Sequence, residues 1–290
     1  MAQVYLPEDP RVREQIQQGG TSTELRAQRP AQTRKPRRFG GIDIVVSLAV
    51  IAAIALLIVA ASRWAAPLTP NVVIDLSPSV LPAYAGYSLL RMLLAYLLSL
   101  VFTLVYGHVA ATNRRAERIM IPILDILQSI PILSFLPAVT LALVAAFPNS
   151  NVGLELASIL LIFTSQAWNM TFSFYHSART IPKDLQEVTT IARVRPWRRF
   201  LVLEVPSSMI GLIWNSMMSW AGGWFFLMAS EQLTLGNRSF QLPGLGSYLQ
   251  AAANAGDTGA ILLGLVTLIV LIILLDIFFW RPLVAWADKF

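Results

Sequence analysis

The strongest constraint on this chain is a set of apolar runs too long and too poor in charge for the core of a soluble domain. Residues 207–230 carry no charged side chain, and residues 260–280 carry one, Asp276. A helix of about 20 apolar residues, rising 1.5 Å per residue, crosses the hydrocarbon of a bilayer. On that rule the chain reads as an all-α membrane protein with six transmembrane helices, at 44–61, 92–111, 119–147, 156–175, 207–230 and 260–280. The third run is the longest and is interrupted by Pro122, Pro131 and Pro137. Composition agrees: charged residues make up 13% of the chain and mean hydropathy is +0.61, whereas a soluble domain carries about 25% charge. Cysteine is absent, which excludes disulfides, Cys-based metal sites and thiol catalysis.

The net charge of +6 could point to nucleic acid, but in a multi-span protein the placement of basic residues matters more than their sum. With the N-terminus inside, 19 of the 22 Lys and Arg residues fall on the inner side, while Arg63 and Arg238 lie outside and Arg91 sits near the outer end of the second span. The positive-inside rule then places both termini and the 177–206 loop in the cytoplasm, with no nucleic-acid partner expected. Trp64 and Trp280 stand where interfacial aromatics are expected. Residues 1–42 are polar and basic without apolar periodicity, so they are expected to form a mostly disordered cytoplasmic tail ahead of the membrane domain 43–290. Its length and polarity argue against a cleaved signal peptide. Four prolines between 62 and 83 point to an extended outer connection. Residues 231–259 contain LPGLGSYLQAA, a turn and short amphipathic helix that could lie on the membrane surface or re-enter it.

The recognisable catalytic signatures are missing. No GxxxxGK[ST] occurs, and none of Lys35, Lys183 and Lys289 follows a glycine-rich loop, so the chain holds no phosphate cradle. HExxH and GxSxG are also absent. No catalytic residue, metal site or cofactor of its own is expected. Asp125, Asp276, His108 and His176 lie toward the cytoplasmic ends of spans, and Glu155 and Glu231 toward the outer ends. None stands at the midplane, where an ion-coupled carrier places its ionisable group, so each is expected to reach water or a neighbouring helix end.

Uncharged polar residues do reach the middle. Gln166, Asn169, Ser173 and His176 share one face of the fourth span, as do Ser208, Gly211, Asn215, Ser219 and Gly222 on the fifth, while Gln128, Ser129 and Ser134 lie in the third. Such stripes either bond helix to helix, at about 1 kcal/mol per bond, or line the path of a polar solute. The residues placed on a candidate path are Gln128, Gln166, Asn169, Ser173, Asn215 and Ser219.

The loop 181–206, IPKDLQEVTTIARVRPWRRFLVLEVP, is shaped. Pro182 suits a first helical turn, and Asp184 and Glu187 complement its dipole. Leu185, Val188, Ile191 and Ala192 make an apolar stripe at helical spacing. Pro196 starts a second short helix carrying Trp197, Phe200 and Leu201, which Pro206 is expected to stop before the fifth span. An inner-surface anchor explains the arginines around the break but not the apolar stripe.

In this loop the chain resembles the membrane subunits of type I ABC importers, whose EAA loop has the form E-A-A-x-x-x-G, with an apolar-Pro step about a dozen residues later. Glu187, Val188 and Thr189 stand at E-A-A, Arg193 at the glycine, and Val205-Pro206 at the step. The segments GLGSYL at 244–249, LLDIFFWRP at the last span, and PILDILQSIPILSFLP at 122–137 are similar to the subgroup handling nitrate, sulfonates such as taurine, and bicarbonate. Val188, Thr189 and Arg193 depart from the motif, so the sharp turn is expected at Pro196. The resemblance implies a permease fold with six spans and a second permease module, from a homodimer, heterodimer or tandem fusion. It implies an extracytoplasmic solute-binding protein and ABC ATPase subunits that hold ATP and Mg. Leu185, Val188, Ile191 and Ala192 would pack on the ATPase, with Glu187 and Arg193 fixing its orientation, and the solute would be small, polar and anionic. The alternatives are a secondary transporter or channel working without an ATPase, and a membrane scaffold.

Overall fold

The computed structural model describes Val59 and residues 73–148, 150–235 and 238–289, all within the unit Ile51–Phe290. The tail 1–42 and the expected first span 44–61, Val59 apart, lie outside the described residues.

A single 3-10 turn, Pro78–Val80, leads into α1, Leu81–Thr112. The helix starts well before the expected residue 92, because Pro82 occupies its first turn, where a missing N–H costs nothing. Asn113 then breaks it with extended backbone and caps α2, Arg114–Ser129, accepting from the N–H groups of Arg115 and Ala116. α3, Ile132–Ala146, follows at a bend of 95°.

This bend falls inside the run 119–147, expected as one span interrupted by prolines. Pro122 and Pro137 sit inside helices, and only Pro131 separates them. Ile130, just before Pro131, is driven out of helical space to ψ 124°, as steric contact with the proline ring requires. Ser129 Oγ closes the end of α2 on Asp125 O at 2.7 Å.

α4, Val152–Arg179, is the central helix, packed against both α1 and α7. α5, Lys183–Ile191, and α6, Pro196–Arg199, form the expected loop helices. Pro206, however, does not stop the chain. α6 runs through a π-helical turn, Phe200–Glu204, into α7, Val205–Ser230, as one 35-residue helix. In that turn Val205 N–H reaches back to Phe200 O, and the extra residue eases the clash a proline ring makes with the preceding helical turn. The same device recurs at the last helix. α9, Thr258–Leu275, continues through a π turn, Asp276–Trp280, in which Arg281 N–H bonds Asp276 O, and then through Pro282 into α10, Arg281–Ala287.

Between α7 and α9 the chain is not wholly helical, which qualifies the all-α reading. Strands β1, Gln232–Leu235, and β2, Arg238–Gln241, pair antiparallel with Gln232 opposite Gln241. α8, Leu245–Ala255, follows and ends at Gly256, whose φ of 68° is the left-handed cap that glycine takes without strain.

The core lies around α4. Met92, Tyr96, Ile162, Met170, Phe174, Leu212, Trp220 and Leu227 form one buried cluster, and Leu81, Tyr84, Leu245, Tyr248, Ala252 and Ala260 form a second beneath α8. Among the described residues, three helices have the length and composition to cross a membrane: Pro78–Thr112, Pro196–Ser230 and Thr258–Ala287. Counting the bent pair α2–α3 as one span makes four. α4 is not among them, since Gln166, Asn169 and several Ser and Thr residues lower its hydropathy while its neighbours enclose it.

Candidate functional site

The cytoplasm-side loop of the sequence reading is an elbow between α4 and α7. α5 begins after Pro182, and Gln186 Nε2 ties its first turn to Ile181 O at 2.9 Å. No residue of α5 is buried. Leu185, Val188 and Ile191 stand exposed along one face, Ile191 at 82%. Glu187, Ala192 and Arg193 are exposed beside them.

The turn is made at Arg193 itself, not at Pro196. Arg193 has φ 48°, and among the described residues it is the one non-glycine with positive φ. Its N–H bonds Thr190 O and the N–H of Val194 bonds Thr189 O, both at 3.0 Å. This pair of bonds is the Schellman helix end, with arginine in the position glycine usually fills. The turn keeps the backbone shape that a glycine there would give.

Below the elbow, polar side-chain pairs tie it to the bundle. Glu204, in the π turn, is buried and meets His108 Nδ1 of α1 at 2.6 Å and Arg199 Nε at 3.7 Å. Phe200 lies against His108 edge-on and under Trp197. His108, expected to reach water or a neighbouring helix end, is half-buried and meets Glu204 directly before α7. Tyr175 OH donates to Glu117 Oε1 at 2.5 Å and Arg179 Nε lies 3.4 Å from the same oxygen, which fixes the start of α2 to the end of α4. Asp125 and Asp276 face local partners, Gln128 and Arg281.

The two polar stripes face each other across the α4–α7 contact. Asn169 Nδ2 donates to Ser219 Oγ at 3.2 Å, and Asn215 Nδ2 donates to Ser173 Oγ at 3.0 Å and to Gly211 O at 2.9 Å. Ser158 and Ser230 meet one another further out, at 2.7 Å. Gln166 is fully buried beside Gly223 and Met92, with neither amide atom hydrogen-bonded. Asn169 is exposed at the edge of this seam, and Ser173 and Asn215 are half-buried. Gln128 stands apart, exposed on α2.

The end of the bundle opposite the elbow holds a cluster that residue-by-residue reading of the sequence missed. Arg91 forks onto Glu155, Nε to Oε2 at 2.6 Å and Nη2 to Oε1 at 2.8 Å. Its Nη1 reaches Glu231 Oε1 at 2.8 Å and Pro243 O at 3.0 Å. Ser88 Oγ donates to Glu231 Oε1 at 2.6 Å, and Gly246 N–H to Glu231 Oε2 at 2.6 Å. Burial pushes the Glu231 carboxyl, one residue beyond α7, above its ordinary pKa range, while Arg91, Ser88 and the Gly246 N–H pull against that. Glu155 and Glu231 were expected to reach water or a neighbouring helix end; they are buried and paired with Arg91. Their sequence separations of 64 and 140 residues left no local pattern to find. Among the described residues no group of three or more His, Asp or Glu side chains could hold a metal ion.

With this geometry in place, comparison with known proteins is specific. The family described as binding-protein-dependent transport system inner membrane component matches residues 100–280. The chain is similar to the nitrate import permease protein NrtB of Leptolyngbya laminosa, 23% identical over 62% of this chain and 59% of that protein. It is 22% identical to NrtB of Synechocystis sp., over 70% of this chain and 69% of the relative. It is also 22% identical to the bicarbonate transport system permease protein CmpB of Synechococcus elongatus, over 70% of this chain and 66% of the relative. The matched region thus spans about three fifths to two thirds of these relatives' lengths.

Proposed function

We propose, for a chain that belongs to the family of binding-protein-dependent transport system inner membrane components, that it is the permease subunit of an ATP-driven importer for a small inorganic anion. The observation that carries this reading is the elbow. An unpartnered apolar ridge, Leu185–Val188–Ile191, is held out on a capped helix by a left-handed turn, at the place where the family's ATPase-docking loop belongs. On this reading Leu185, Val188, Ile191 and Ala192 enter a groove on the ATPase, and Glu187 and Arg193 orient it. ATP and Mg belong to that partner, and this chain needs no cofactor of its own. A second module completes the pathway, and a solute-binding protein supplies it from outside. Six spans with both termini in the cytoplasm of a prokaryotic inner membrane accord with the sequence's charge asymmetry, 19 of 22 basic residues on one side of that topology. Relatives named for nitrate and bicarbonate support an anionic solute of that size.

The connections give the elbow a mechanical role. Three residues join α4 to α5, and α6 runs without a break into α7, so a displacement of α5 acts on both helices of the polar seam. Glu204 passes part of it to α1 through His108. The seam's open edge, at Asn169, Ser173 and Asn215, is the surface on which a polar solute would pass.

The test is the double substitution Leu185→Asp with Val188→Asp. Each buried aliphatic side chain contributes about 1.5–3 kcal/mol, so losing two weakens ATPase binding by at least about a hundredfold. Membrane insertion is expected to be normal, with substrate-stimulated ATP hydrolysis lost. Normal coupling in the inserted double variant would refute docking at this ridge.

A further inference from the structure

We propose that Ser88, Arg91, Glu155 and Glu231 are positioning residues for transport: they seat α8 on the outer ends of α1, α4 and α7 and hold these four elements as one body through the cycle. The inference rests on the transport reading above and adds to it a statement about where the module does not open.

The cluster is closed chemically. Arg91 gives both edges of its fork to Glu155 and its remaining nitrogen to Glu231 and Pro243 O. That leaves one carboxylate more than the guanidinium can neutralise. Glu231 answers this by lying at the N-terminus of α8, where Gly246 N–H bonds it and the helix dipole favours negative charge. Ser88 completes the link, donating to Glu231 and accepting from Leu245 N–H at 2.9 Å. The glycines of GLGS follow from this seat. A Cβ on Gly246 would stand 2.9 Å from both Glu231 Oε2 and the Met228 Cα. The carboxylate of α7 therefore replaces the external anion that a helix N-terminus commonly binds.

Moving any one element away would strand a charge. Arg91 is 3% exposed and Glu231 is wholly enclosed, so no water stands ready to take over a lost partner. The pair between α2 and the end of α4 is different. Arg179 and Glu117 are 43% and 22% exposed, so water can replace that contact, whereas Glu204 beside His108 is only 4% exposed. Separation inside the module is thus resisted where α1, α4, α7 and α8 meet and tolerated between α2 and the end of α4. An outward opening must then form along a surface of this body, beside the seam, and not by parting α4 from α7.

Ser158 and Ser230 give a direct test, because they join α4 to α7 beside the cluster without belonging to it. The chain has no cysteine, so Ser158→Cys with Ser230→Cys creates a single possible bridge. The importer, assembled in proteoliposomes with its ATPase and solute-binding protein, is assayed for uptake of labelled nitrate and labelled bicarbonate before and after oxidation. Uptake is expected to stay within about twofold when the bridge forms. Uptake that stops on oxidation and returns on reduction would overturn the proposal. In a second arm, Glu231→Gln is expected to lower the number of anions carried per ATP by about tenfold or more, with Glu231→Asp in between. A purely structural role would lower uptake and hydrolysis together, in proportion to the folded protein, and an unchanged ratio overturns the proposal. If Glu231→Gln does not insert, the bridge experiment decides alone. Absence of uptake in the unsubstituted assembly tells against the transport reading and not against the cluster.

Discussion

Replacing Arg193 by glycine should stabilise the elbow. At φ 48° the Arg193 Cβ crowds its own backbone, and a left-handed conformation costs an L-residue about 1–2 kcal/mol. Glycine removes that cost but gives back about 0.5–1 kcal/mol through the greater freedom of the unfolded chain. The side chain is exposed, so its lost surface contacts change little. The net gain is about 0.5–1 kcal/mol, which makes opening of the turn roughly two- to fivefold rarer. The Val194 amide reports this directly, because its bond to Thr189 O must break whenever the turn opens. After correction for intrinsic rates, its hydrogen exchange should slow about two- to fivefold in Arg193→Gly. It should accelerate in Arg193→Val, where a β-branched side chain meets the same backbone. Equal or faster exchange in the glycine variant would show that the turn is not under strain. The argument for how α5 is held would then fail.

Two further outcomes follow from the packing. Gly246→Ala should cost about 1–3 kcal/mol, since the added methyl meets the Met228 backbone at 2.9 Å and cannot be relieved by a side-chain rotation; thermal unfolding in detergent measures it, and an unchanged midpoint would contradict the seat described for Glu231. Asn215→Ala removes the bonds to Ser173 and Gly211 O and should cost only about 1 kcal/mol by the same measurement, while a changed KM for nitrate uptake would place this edge of the seam on the solute's path.

Much of the framework could be read from residues alone because it follows from local rules. Apolar runs mark 207–230 and 260–280, where helices span 205–230 and 258–275, Pro182 and Asp184 mark the start of α5, and the stripe at 185, 188 and 191 is exposed on one face as its spacing requires. Proline was the weak point. Of the prolines at 82, 122, 131, 137, 206 and 282, only Pro131 breaks a helix. What a proline does depends on whether its turn can supply an extra residue, as at Phe200–Glu204, or lies at a helix start, as at Pro82. Neither condition is written at the proline itself. The left-handed turn was equally hidden, because arginine does not advertise a positive φ as glycine does.

The buried ions show a different limit. In a membrane protein, a charge near the end of an apolar run has two solutions of similar plausibility, water or a partner, and the run itself looks the same in both. Arg91, Glu155 and Glu231 each satisfy the reading of a residue at a helix end facing outward. What distinguishes them is that the three ends converge, and convergence is a property of the fold. Yet one sign was present. GLGS opens a helix with two glycines, which sacrifices helix propensity at Gly246 inside the first turn. Such a sacrifice needs a close approach to justify it, and the thing approaching is the Glu231 carboxylate. The same glycines served as a mark of resemblance. Their physical cause is that an acid closing one helix fills the anion seat at the start of another, so the pair Glu231 and Gly246 is one feature. A substitution at either should therefore be felt at the other, whatever the solute carried.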